Sequence, residues 1–259
     1  MLPGLIPVAR QPGWLIEAIR YCGMQRGLQF CVDARDAVSW PGAGTQIIDR
    51  SGNGFDFDFT NQVSFSGLVG TFSGAFDFNN SGFFTYETTN PAWVDSMHMS
   101  GAKFSGIFLF YLVGSVIQNI GIFSDRANVN NNIGISFHYT TAGKVNIQVS
   151  NNPSNVFSFS GADSLDFLAN NIIGWCIDEA AGASSSYLMV NSKFEWFNAA
   201  YTSPQSSAAT FALTLCSRNS NNRWPSSSYF FGSAMWNRIV APVEMQGLRQ
   251  RCMSEMRLL

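Results

Sequence analysis

Asp49, Asn53, Asp56 and Asp58 place four hard oxygen ligands within ten consecutive positions, DRSGNGFDFD. Carboxylate, amide and backbone oxygens are the ligand set that calcium takes, so Asp49 and Asn53 are the candidates for holding a metal ion. The same residues have a second reading. Gly52 and Gly54 suit left-handed turn positions and Asp49 can bond the turn backbone, which makes the stretch a corner between strands. The corner is the favoured reading, with calcium as its alternative.

Acid/base chemistry on a sugar needs two carboxylates facing each other across a scissile bond. The acidic groups of WCIDEA (Asp178, Glu179) and FEWF (Glu195) are adjacent or isolated and are expected to be solvated charges at strand ends or on outer faces. His98 and His138 are the only histidines, which leaves little material for a triad or a metal site. In SFHY, His138 falls opposite Phe137 and Tyr139, so an exposed or rim position is expected. No G-x-S-x-G elbow activates a serine, and an enzyme is not expected.

Binding without catalysis asks for different residues. An aromatic platform beside amide and carboxylate partners suits a sugar. The stretch RNSNNRWPSSSY offers Asn221, Asn222, Arg223, Trp224 and Tyr229, and NPAWVDS offers Trp93 and Asp95. These two loops are the candidate contacts for a glycan or for a partner chain.

Composition narrows the partners. The 259 residues are 46% hydrophobic but only 12% charged, with a net charge of −2, so no basic field awaits a phosphate backbone and nucleic acid is excluded as an electrostatic partner. The 23 Phe, set beside abundant Asn and Gly, favour strands and tight turns. Five Cys form no CxxC pair and are expected to be reduced and buried. MLPGLIPVAR lacks a basic region ahead of its short apolar run, so synthesis without a signal peptide is expected. Residues 104–123 carry no charge over about the length a bilayer needs. Their Gly, Ser, Gln and Asn content points instead to two buried strands around a turn near Gly114 and Ser115, and no membrane partner is expected.

Periodicity supplies the elements that must hold these residues. RQPGWLIEAIRYCGMQ reads as a short helix within an arm, residues 1–27. From Leu28 the period becomes two. Phe55, Phe57 and Phe59 share one face, as do Ile133, Ile135, Phe137 and Tyr139, then Val145, Ile147 and Val149, and Ile173, Trp175 and Ile177. Turn clusters such as NNSG and SNNPSN separate the runs, so residues 28–241 are expected to form one antiparallel sandwich. Met245, Leu248, Cys252, Met256 and Leu259 make one stripe of a closing helix, residues 242–259, packed on the sandwich. The arm carries Leu5, Ile6, Trp14, Leu15 and Ile19 in a helix too short to stand alone in water. It is expected to attach to another chain.

Three stretches resemble the concanavalin A-like lectin/glucanase superfamily, in particular the laminin-G-like modules of phage virion and bacterial surface proteins. They are CVDARDAVSWPGAGTQIIDRSGNGFDF, GTFSGAFDFNNSGFFTYE and YFFGSAMWNRIVAPVEMQGLRQ. The resemblance implies an all-β, two-sheet antiparallel jelly-roll sandwich whose first and last strands meet. The Glu-x-Asp-x-x-Glu strand of the family's glucanases has no counterpart here. What the resemblance then implies is a non-catalytic structural component of a larger assembly: a phage virion protein (capsid decoration, tail or fibre module), homo-oligomeric, attached through its arm to other virion proteins. A glycan-binding lectin module is the alternative, and a surface glycan its partner.

Overall fold

Phe104, Phe108, Phe110 and Leu112 face one side of a single strand and Ile107 and Leu109 face the other, and all six are buried. A strand that is apolar on both faces needs cover on both. The rest of the fold supplies it. The computed structural model describes residues 14–61, 63–67, 74–78, 82–86, 89–112, 120–125, 133–151, 155–201, 208–209, 211–217 and 228–256.

Helix α1 (Trp14–Tyr21) leads into β1 (Leu28–Asp33), β2 (Gln46–Ile47), β3 (Phe57–Thr60), β4 (Ser64–Ser66), β5 (Ala75–Asp77) and β6 (Phe83–Tyr86). A short helix α2 (Ala92–Asp95) runs on into a 3-10 turn, Ser96–His98. Then come β7 (Lys103–Leu112), β8 (Ile120–Ser124), β9 (Ile133–Tyr139), β10 (Lys144–Asn151), β11 (Asn155–Ser164) and β12 (Ala169–Asp178). The chain continues through β13 (Tyr187–Val190), β14 (Lys193–Trp196), β15 (Thr214–Leu215), β16 (Tyr229–Trp236) and α3 (Pro242–Met256).

Two eight-stranded sheets result, with antiparallel pairing throughout. The first runs β14-β13-β12-β7-β16-β5-β4 with β1 also on β16; the second runs β11-β10-β9-β8-β15-β6-β3-β2. The fold is thus the expected two-sheet antiparallel sandwich with short terminal helices. Its first and last strands meet, Cys31 opposite Ala234 and Asp33 opposite Gly232. Between the sheets lies a core dominated by aromatic side chains, in which Trp175 stacks on Phe123 and Phe84 meets Phe59, Phe76, Phe78 and Phe230. The faces read from alternation are the ones buried there: Ile135, Phe137 and Tyr139 on β9, Val145, Ile147 and Val149 on β10, Ile173, Trp175 and Ile177 on β12.

A second cluster covers the outer face of the first sheet. Leu15, Ile16, Ala18 and Ile19 of α1 and Met245, Leu248 and Cys252 of α3 are buried against Cys31, Ile107, Leu109, Ile172 and Trp236. This corrects the expectation for the arm. Trp14, Leu15 and Ile19 are buried on the chain's own sheet, because Ile107, Leu109, Ile172, Ala234 and Trp236 present an apolar outer face that water would otherwise meet. Leu5 and Ile6 lie outside the described residues. Residues 104–123 supply the two expected buried strands, β7 and β8, which stand in opposite sheets; the expected turn near Gly114 and Ser115 lies outside the described residues. Among the described residues no helix is long and apolar enough to cross a membrane.

Candidate functional site: the outer face at β12, β13 and β14

The Asp49 corner is filled from within. Asp49 Oδ1 accepts from the N–H groups of Cys31 (2.9 Å) and Ser51 (2.8 Å), and Oδ2 from the Ser51 hydroxyl (2.6 Å) and the Phe55 N–H (3.2 Å). A carboxylate offers about four lone-pair positions, and here each has a donor. Asn53 Nδ2 donates to the carbonyls of Leu28 and Gln29, both at 2.8 Å. Asp56 accepts from the Asp49 N–H and Asp58 from Gln46 Nε2. Gly52 (φ 93°) and Gly54 (φ 76°) supply the left-handed positions. The corner ties its loop to the start of β1, and a cation at Asp49 would have to displace these donors.

The other sequence candidates scatter. Trp93 stands on α2, half-buried, with its ring 6.0 Å from Phe30 and 5.5 Å from Phe55, and so caps the core instead of offering a platform. Asp95 accepts from the Ala209 N–H at 3.0 Å. Tyr229 begins β16 on the outer face of the first sheet, half-buried beside Tyr111 at 6.1 Å. It belongs to a different cluster from Trp93, so the two loops do not converge through these residues. Asn221, Asn222, Arg223 and Trp224 lie outside the described residues.

Both histidines are buried. His138 is 2% exposed, which corrects the rim expectation: alternation fixes the side a residue faces, but β9 is an interior strand, flanked at His138 by Gly121 and Asn146. His98 Nδ1 lies 3.4 Å from Asp125 Oδ2, with both side chains fully buried. The carboxylates expected to be merely solvated hold backbone. Glu179 Oε2 accepts from Gly101 and Ala102, and Glu195 Oε2 from Ala162.

The exposed tryptophan among the described residues is Trp196, 47% exposed, at the end of edge strand β14. Register places Cys176, Tyr187 and Trp196 in one row across β12, β13 and β14. Trp196 rests edge-on against Tyr187, with ring centroids 5.6 Å apart. Tyr187 is itself fixed: its hydroxyl donates to the Val240 carbonyl at 2.8 Å. Burial, aided by Cys176 and Glu244, pushes its phenol far above the usual range, so it stays a donor. Asp178, two residues beyond Cys176 on the same face, stands opposite Lys103. Asp178 is 15% exposed and ion-paired with Lys103, whose Nζ lies 3.9 Å from Oδ1, an oxygen that accepts no hydrogen bond among the described residues. An exposed aromatic surface and the Lys103–Asp178 ion pair thus share one sheet face. The sequence reading missed Trp196 because KFEWF alternates as the core strands do.

No protein-family model matches the sequence, and no curated protein matches it. Solved structures are similar in fold. The binding domain of botulinum neurotoxin DC in complex with SialylT matches at TM-score 0.59 and 12% identity, over 88% of this chain and 52% of that one. Botulinum neurotoxin type C, whose cell entry depends on interaction with two ganglioside molecules, matches at TM-score 0.61 and 11% identity, over 90% and 53%. A Trypanosoma rangeli sialidase in complex with sialic acid matches at TM-score 0.56 and 9% identity, over 86% and 32%. The chain spans about half the length of the toxin chains and about a third of the sialidase. Likeness at such identity establishes the sandwich fold alone.

Proposed function

We propose that the chain is a non-catalytic glycan-binding sandwich module. The observation that carries this reading is Trp196: a large aromatic side chain held half in solvent on an edge strand, braced by a buried tyrosine, beside Asp178 and Lys103. Such a surface offers a sugar ring a flat apolar face with polar partners at its border. The similar structures support the reading at the level of fold, since a toxin binding domain in complex with SialylT, a neurotoxin whose cell entry depends on two ganglioside molecules and a sialidase holding sialic acid each match the sandwich. The engagement of Glu179 and Glu195 with backbone N–H groups supports binding without hydrolysis.

Mounting on a larger assembly such as a phage virion is compatible with a lectin role. The described residues offer no separate device for it, because Trp14, Leu15 and Ile19 are engaged by the chain's own sheet. The test is a glycan array probed with the wild-type chain and with Trp196→Ala at equal concentration. Retention of a defined glycan set by the wild type, and its loss in the variant with unchanged melting, is expected. An empty array, or equal retention by the variant, contradicts the proposal.

A further inference from the structure

The Asp49 corner takes no part in the glycan reading, yet it holds the sole Asn-Gly step of the chain, Asn53–Gly54. Asparagine followed by glycine is the step most open to succinimide formation, because glycine has no Cβ to keep its own nitrogen from the preceding side-chain carbon. Both residues are exposed, Gly54 stands at φ 76°, and a side chain there would meet nothing within 4 Å. Solvent therefore has open access to this step.

What the corner adds is a grip on the leaving group. Asn53 Nδ2 donates to the carbonyls of Leu28 and Gln29, both at 2.8 Å, and to Ser51 Oγ at 3.1 Å. The first two are contacts through which the corner holds the start of β1. Ring closure expels that same nitrogen, so reaction in the closed corner has to break these hydrogen bonds on the way to the product. The sequence step invites the reaction and the fold opposes it.

We propose that Asn53–Gly54 is a latent modification site, guarded by the closed corner, and that its conversion prevents the corner from closing again. When the corner opens, the Gly54 nitrogen gives its proton to solvent and bonds to Asn53 Cγ, and Nδ2 departs as ammonia. Water then opens the succinimide at either carbonyl, giving aspartate or isoaspartate. The net change is one water taken up and one ammonia released, with no oxidant or reductant. Both products put a carboxylate where an amide donated, and an ionised carboxylate has no hydrogen to offer the Leu28 and Gln29 carbonyls. It also brings a second negative charge to Ser51, whose Oγ already lies 2.6 Å from Asp49 Oδ2. Isoaspartate further lengthens the backbone between Gly52 and Gly54, whose left-handed conformations set the turn.

Incubation of the wild-type chain at mildly alkaline pH in heavy-oxygen water, folded and in guanidinium, tests this by peptide mass analysis. The unfolded chain is expected to convert Asn53 to a mixture of aspartate and isoaspartate, and the folded chain to do so roughly tenfold or more slowly, since conversion there waits on local opening. Asn53→Asp supplies one product in homogeneous form and is expected to melt below the wild type. Equal rates in the folded and unfolded chains, absence of conversion in guanidinium, or an Asn53→Asp variant that melts at the wild-type midpoint overturns the proposal.

Discussion

The Leu15 N–H donates to Asp33 Oδ2 at 2.8 Å, joining the first turn of α1 to the last residue of β1. The same carboxylate accepts from the Arg35 N–H and Nε, and the buried guanidinium lies 5.2 Å from the Trp14 ring centroid and 5.4 Å from that of Phe231. One buried ion pair thus seats the N-terminal helix on the sandwich.

Removing its acid leaves a buried, unpaired cation. Asp33→Ala is expected to destabilise the chain by about 3–5 kcal/mol, measured from urea unfolding midpoints. Deleting residues 1–27 is expected to abolish soluble folding, since Ile107, Leu109 and Trp236 lose their cover. A soluble, cooperatively melting deletion variant would show that α1 is dispensable.

The closing helix is covered by the same logic. Leu248 is fully buried against the first sheet's outer layer, so Leu248→Ala is expected to cost about 2–4 kcal/mol. An unchanged thermal midpoint would mean that α3 contributes no packing there.

Arg238 holds the Glu244 carboxyl below the usual carboxylate range through its hydrogen bonds; burial opposes this, and the Ala241 N–H adds to it. A lowered folded value means that Glu244 stabilises the fold above its unfolded value of about 4.3, and that this contribution is lost as pH falls through the folded value. Glu244→Gln is therefore expected to lower the melting midpoint at neutral pH and to flatten its decline below about pH 4. Parallel wild-type and variant profiles would contradict the assignment.

Phe55, Phe57 and Phe59, and Ile135, Phe137 and Tyr139, declared their inward face in the sequence because a period of two with large apolar side chains admits one solution in a sandwich. Ile107, Leu109 and Ile172 were equally visible as apolar, yet their alternation with Phe108, Phe110 and Ile173 hid the existence of a second, outer face. That face is what claims α1. The Asp49 corner was legible from its glycines, since a turn is a local object. Trp196 was not: its exposure comes from standing on the edge of a sheet, and edge position is set by pairings with β13, not by its neighbours in sequence. His138 failed for a related reason, because its place inside the sheet, between Gly121 of β8 and Asn146 of β10, is set by strand pairing and not by its neighbours in sequence.

Trp196 can be watched directly. In a nitrogen-15 correlation spectrum, the indole N–H resonance that disappears in Trp196→Phe identifies the side chain. Titration of the wild type with a glycan that it retains on the array is expected to move that resonance progressively and saturably, while the indole signals of the core residues Trp175 and Trp236, both buried, stay in place. A Trp196 resonance that remains fixed while a glycan demonstrably binds, or that fails to respond to any glycan at saturating concentration, would contradict the assignment of the outer face as the binding site.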